Sequence, residues 1–153
     1  MLLLLDIDGV MVPANSWRRP EILEDGFVEF SPKAIEALNK ILKEHVFEIV
    51  LTTSHKFKYT LADWREIFNK RGVNVNTVKR LNDNTNNLNK KNEIINWFNT
   101  KADLDNFIIL DDDKSLNDLP ALIKSRLVQT SASVGLTQDI ADEVIALANP
   151  NLV

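Results

Sequence analysis

Two carboxylates, Asp6 and Asp8, close a run of four leucines at residues 2–5, and Gly9 follows them directly. A short apolar run stopped by acids and a glycine reads better as a central parallel strand than as a helix. Along an extended chain, alternation sends Asp6 and Asp8 to one side and Ile7 to the other. Beyond the carboxyl end of a strand lies the usual ligand crevice of an open α/β sheet. Two same-side carboxylates there can share one metal ion, or divide the roles of nucleophile and general acid in phosphoryl transfer. An Asp-x-Asp-Gly segment also occurs in calcium loops, but an EF-hand needs a third oxygen ligand before its glycine, a distal Glu and a preceding helix. Gly9 comes too early for that, which leaves an ordinary structural turn as the competing reading.

Three further polar clusters bear on the choice. The segment Thr52-Thr53-Ser54-His55 ends a second apolar run and presents hydroxyls beside the acids, although threonine also suits strands by shape and serine caps helices. Asp111-Asp112-Asp113 follows Phe-Ile-Ile-Leu, and one such acid is a common helix cap. Three in a row repel one another unless a cation neutralises them. Asn89-Lys90-Lys91-Asn92 offers a lysine that is either a solvated charge or, turned inward, a counter-charge to the acids and a phosphate holder. The chain has no cysteine, so a metal must be held by oxygen or histidine, which favours a hard cation such as magnesium.

The elements that must position these groups alternate. Ser31-Pro32 caps a helix with Ile35, Leu38, Ile41 and Leu42 at helical spacing, and a strand follows at Phe47–Leu51. Leu61, Trp64, Ile67 and Phe68 mark a second helix ended by Gly72, with Val73, Val75 and Val78 as a short third strand. An asparagine-rich loop over 82–92, containing Lys90 and Lys91, leads to a third helix with Ile94, Ile95, Trp97 and Phe98. Phe107–Leu110 reads as a fourth strand, Leu116–Lys124 as a fourth helix, and Leu127-Val128 as a fifth strand. Thr137 caps a last helix with Ile140, Ala141, Val144, Ile145 and Ala148 on one face. This order predicts an α/β fold, a central parallel sheet between two helical layers. Residues 10–30 break the pattern with Pro13, Trp17, Pro20, Gly26 and an extended Phe27–Phe30. They read as a flap over the first strand's end.

With 153 residues and no evident linker, the chain fits one domain over 1–153. The leucine run is too short for a membrane span and lacks the basic flank of a signal peptide, so a cytoplasmic protein is expected. A formal charge of −4 argues against a broad nucleic-acid surface but not against a local basic patch. Trp17, Arg18 and Arg19, or Lys56, Lys58 and Tyr59, would supply such a patch, with packing as the commoner role for the aromatics.

Taken in order, Asp-x-Asp-Gly, strand-end threonine, lysine and strand-end aspartates, the chain resembles the haloacid dehalogenase (HAD) superfamily of phosphohydrolases over nearly its whole length. Within it, Leu5–Pro13, Ile49–Lys56, Glu93-Ile94 with Trp97-Phe98, Leu110–Asp113 and Gly135-Leu136-Thr137 are similar to the capless HAD domains related to those of Swiss army knife RNA repair proteins. That group often carries Trp-Arg where this chain has His55-Lys56. The resemblance implies a Rossmann-like three-layer α/β/α fold with little or no cap, and a magnesium-dependent phosphatase. In it Asp6 is the nucleophile that forms an aspartyl-phosphate, and Asp8 the general acid and base. Thr53, or Thr52, binds the phosphoryl group, and Lys90, or Lys91, is the stabilising cation. Magnesium is held by Asp6, the Asp8 carbonyl, and Asp111 or Asp112. Little or no cap implies a large substrate, such as a phosphorylated nucleic-acid end, or a cap supplied by a partner chain; a nucleotide or sugar phosphate stays open. Two non-enzymatic readings compete: a phosphoacceptor switch of receiver type, and a binding domain of the same fold. The first is disfavoured because a receiver's phosphorylated Asp lies on a middle strand. The second is disfavoured because every polar group of the set is present.

Overall fold

The computed structural model describes residues 1–14, 19–82, 88–101 and 106–149. Trp17 and Arg18 of the expected flap lie outside these residues, as does much of the asparagine-rich loop. The elements run β1 (Leu2–Leu5), α1 (Pro32–Glu44), β2 (Glu48–Leu51), α2 (Leu61–Lys70), β3 (Val78–Arg80), α3 (Lys90–Lys101), β4 (Phe107–Asp111), α4 (Ala121–Lys124), β5 (Leu127–Gln129) and α5 (Gln138–Ala148). All strand pairs are parallel, in the order β3-β2-β1-β4-β5. No helix among the described residues is long and apolar enough to cross a membrane.

Side-chain alternation sorts the sheet residues into two cores. Leu3, Leu5, Ile49, Leu51, Ile108 and Leu110 pack with the apolar faces of α1, α2 and α5. Leu4, Val50, Phe107 and Ile109 pack on the opposite face with Ile94 and Trp97 of α3 and with Leu116, Leu119 and Ile123. Strands covered on both faces must be apolar throughout, which accounts for the uninterrupted leucines of β1. The chain order reverses between β1 and β4, the topological switch point where a crevice opens beyond the strand ends.

Three sequence expectations are corrected. The third strand begins at Val78, because Val73 and Val75 are buried with their amides committed to α2: Val73 N donates to Phe68 O, and Val75 N to Asn69 Oδ1. The fourth helix is not continuous. Lys114–Asp118 forms a 3₁₀ turn capped by Asp113, and a separate short helix starts only after Pro120, which cannot supply the amide a continuous helix needs there. The third helix includes Lys90 and Lys91, because Asn89 acts as its cap: the Asn92 amide donates to Asn89 Oδ1 at 2.9 Å.

In the segment expected as a flap, Ile22 and Val28 form an antiparallel bridge, and Phe27 and Phe30 enter the core. Arg71, just after α2, fastens this hairpin. Its guanidinium donates to both carboxylate oxygens of Asp25, at 2.6 and 2.9 Å, and to the carbonyls of Phe27, Val28 and Ile67. These bonds hold the Asp25 carboxyl down at about 2. A carboxyl depressed on folding stabilises the protein above its unfolded pKa, near 4, and loses that contribution as pH falls toward 2. Asp25→Ala should therefore cost about 3 kcal/mol at pH 7 by stranding a buried guanidinium. In urea melts the gap to wild type should narrow steadily between pH 4 and pH 2; a pH-independent gap would refute the ion-pair account.

Candidate functional site

The strand register builds the site. Val50 and Ile109 flank Leu4 in one row across the sheet, and two residues further along each strand the same face presents Thr52, Asp6 and Asp111. The α3 helix covers this face, and its first residue, Lys90, reaches into the row. The Lys90 ammonium lies 3.2 Å from Asp6 Oδ2 and 3.1 Å from Asp111 Oδ2. Thr52 Oγ1 donates to Asp111 Oδ2 at 3.5 Å, and Asp111 Oδ1 accepts from the Asp113 amide at 3.0 Å. Asp6, Thr52, Thr53 and Asp111 are all buried.

Burial of this kind penalises charge. It is the main reason that the Asp6 carboxyl is raised to about 8, with the Asp111 charge adding to it and Lys90 opposing. Burial also raises the Asp111 carboxyl against the pull of Lys90. At Lys90 burial acts downward, but the charges of Asp111 and Asp6 outweigh it and hold the ammonium above its ordinary value.

Carboxylate oxygens of Asp6, Asp111 and Asp112 lie within 4.8 Å of one another. Burial pushes the Asp6 and Asp111 carboxyls toward the uncharged form, and a divalent ion bound by oxygen would instead hold all three as carboxylates alongside the Lys90 ammonium. The donor set therefore fits magnesium. Asp112 is set against Gly9, which has a φ of +82° and whose carbonyl accepts from Thr130 Oγ1 at 2.7 Å. A Cβ on Gly9 would overlap the Asp112 carboxylate. Gly9→Ala should cost about 1–2 kcal/mol in backbone strain and displace Asp112. A lower melting temperature together with a weaker magnesium response would verify both effects.

The remaining sequence candidates fall in different places. The Thr53 hydroxyl accepts from the His55 amide at 3.3 Å, so Thr52, not Thr53, is the hydroxyl hydrogen-bonded to Asp111. Among the described residues the Lys91 ammonium makes no hydrogen bond or ion pair. Asp8 stands at the mouth with its carboxylate 60 % exposed, 3.0 Å from His55 Nε2. Lys56, which invited a nucleic-acid reading, is buried in an ion pair with Glu93 at 3.0 Å, and Tyr59 packs edge-on against Phe27 and Trp64. The Lys56–Glu93 pair was not recognised in the sequence. It joins the loop after β2 to the first turn of α3, one turn from Lys90, and only the spacing of Lys90 and Glu93 on a common helix hinted at it.

A doubly wound parallel sheet with an aspartate beyond its first strand, a hydroxyl beyond the second, a helix-borne lysine and aspartates ending the fourth defines a HAD-superfamily domain. The model of the family described as the HAD domain in Swiss Army Knife RNA repair proteins matches residues 2–141, and the chain belongs to that family. Membership indicates phosphatase-type chemistry at the level of the family. No curated protein matches the chain.

Proposed function

We propose that this domain is a magnesium-dependent phosphohydrolase working through an aspartyl-phosphate on Asp6. The observation that carries the reading is the Lys90 ammonium held between Asp6 and Asp111 at the switch-point crevice, with Asp112 in range of the same ion. Asp6, Asp111, Asp112 and the Asp8 carbonyl would hold magnesium, which when bound neutralises charge on the nucleophile and on the phosphoryl oxygens.

Asp6 attacks phosphorus in line, and the bond to the leaving oxygen breaks. Asp8 gives that oxygen a proton, and in the second half takes one from the water that releases phosphate, a role worth about 10²–10⁴-fold. Lys90 and the Thr52 hydroxyl hold the transferring group. Thr52 takes this part in preference to Thr53 because it shares the sheet face of Asp6 and Asp111.

The exposure of Asp8 suits a substrate larger than the crevice, such as a phosphorylated nucleic-acid end, or a cap brought by a partner chain. Phosphate release with magnesium, assayed on phosphorylated oligonucleotide ends, nucleotides and sugar phosphates, tests the reading. Sustained turnover supports it, whereas a single stoichiometric phosphorylation without turnover would favour a phosphoacceptor domain.

A further inference from the structure

Among the described residues, His55 stands at the crevice mouth without a part in this scheme. Its backbone N–H donates to Thr53 Oγ1, which ties the loop to the buried Thr53 two residues past β2. Its ring packs edge-on against Phe27, with centroids 6.0 Å apart and planes at 81°. Phe27 is itself immobilised: it is buried, makes further edge contacts with Phe30, Tyr59 and Trp64, and has its carbonyl bonded by Arg71. The imidazole, 36 % exposed, thus rests on the hairpin through Phe27, and its Nε2 is directed at Asp8 Oδ2, 3.0 Å away.

Asp8 has the opposite character. It lies in the turn after β1, and its carboxylate is mostly in water. Among the described residues, His55 is the only side chain hydrogen-bonded to it. An acid that must meet a leaving oxygen on the far side of phosphorus from Asp6 gains from being held in one orientation, and misplacement of a reacting group by about 1 Å costs about 10²-fold.

We infer that His55 is the positioning residue for Asp8, fixing its Oδ2 so that Oδ1 presents the proton to the leaving oxygen. The inference rests on the phosphohydrolase reading and assigns a residue which that reading leaves idle. In the first half-reaction a bond forms from an Asp6 oxygen to phosphorus. The bond from phosphorus to the leaving oxygen breaks with its electron pair, and that oxygen takes the proton from Asp8 Oδ1. In the second half the water oxygen bonds to phosphorus and its proton returns to Oδ1, while the Asp6–phosphorus bond breaks with its electron pair left on the Asp6 oxygen and phosphate departs. The role requires the tautomer with the proton on His55 Nε2, which the ring keeps throughout, donating to Oδ2 in both halves.

The test compares two monoesters that differ in their need for an acid. An alkyl phosphate expels a basic alkoxide and requires protonation, whereas 2,4-dinitrophenyl phosphate expels a stable phenolate and does not. The parameter to compare is kcat/KM, since it reports only the steps through formation of the aspartyl-phosphate. His55→Ala should lower kcat/KM on the alkyl ester about 10²-fold and leave the dinitrophenyl ester within about threefold. His55→Gln, which keeps an N–H donor of similar reach, should recover most of the lost alkyl-ester activity. Equal losses on both esters, with no recovery in the Gln variant, would mean that His55 is merely structural and would overturn the inference, as would an undiminished alkyl-ester rate in His55→Ala. A wild-type protein that releases phosphate from neither ester, nor from phosphorylated oligonucleotide ends, nucleotides or sugar phosphates, would instead refute the phosphohydrolase reading itself, and the inference with it.

Discussion

Asp6→Asn is expected to abolish phosphate release while leaving a folded domain. Loss of a covalent nucleophile typically costs about 10⁴-fold or more, because the amide oxygen is too weak a nucleophile to form the phosphoryl intermediate. The fold should tolerate the change for a specific reason. Burial and the Asp111 charge already raise the Asp6 carboxyl to about 8, so an uncharged group of the same shape is not penalised at that position. The amide oxygen can still accept from Lys90. Steady-state phosphate release with saturating magnesium, paired with far-UV circular dichroism and a thermal melt, separates chemistry from folding. Release unchanged from wild type would exclude the aspartyl-phosphate mechanism, and a collapsed melt would show that Asp6 serves the structure instead.

Magnesium should raise the melting temperature of the wild-type protein saturably, since the carboxylates of Asp6, Asp111 and Asp112 are assembled only in the folded state. At a hundredfold excess over Kd the gain is about 2.7 kcal/mol, which for a domain of this size is roughly 5–10 °C. Replacing Asp111 and Asp112 together by asparagine should remove this response. Without magnesium the double variant should melt no lower than wild type, because it removes the cost of burying charge at Asp111, to which Asp112 adds repulsion, while Lys90 keeps Asp6 as its partner. Thermal melts of both proteins against magnesium concentration measure both effects. A flat wild-type titration would reduce the cluster to a solvated turn, and an unaltered response in the double variant would move the metal elsewhere.

Much of this was legible in the chain. The four leucines before Asp6, the Phe-Ile-Ile-Leu before Asp111 and the helical repeats between them specify alternating strands and helices, because the apolar period is a local property. The same runs place Asp6, Thr52, Thr53 and Asp111 at strand ends, since a polar residue cannot continue a strand buried on both faces. Where the local signal misled, a neighbour in space had intervened. Val73 and Val75 have the composition of a strand, but Asn69 and Phe68 of α2 hold their backbone away from the sheet. Lys90 looked like part of a loop because its cap, Asn89, is one of six asparagines in eleven positions.

The sequence by itself determined which polar groups are candidates for chemistry and that they lie at the ends of strands and of a helix, because residue type and hydrophobic period are read one segment at a time. Only the tertiary structure decided which of them meet. Thr52 rather than Thr53 shares a sheet face with Asp6 and Asp111 because Leu4 pairs with Val50 and Ile109, and a register shifted by one residue would have reversed that choice. The same holds for Lys90 between two aspartates, Lys56 against Glu93, Arg71 against Asp25 and His55 against Asp8. Each joins residues that are distant in the chain, and the energy that fixes such a contact comes from packing two elements together, which no single segment contains.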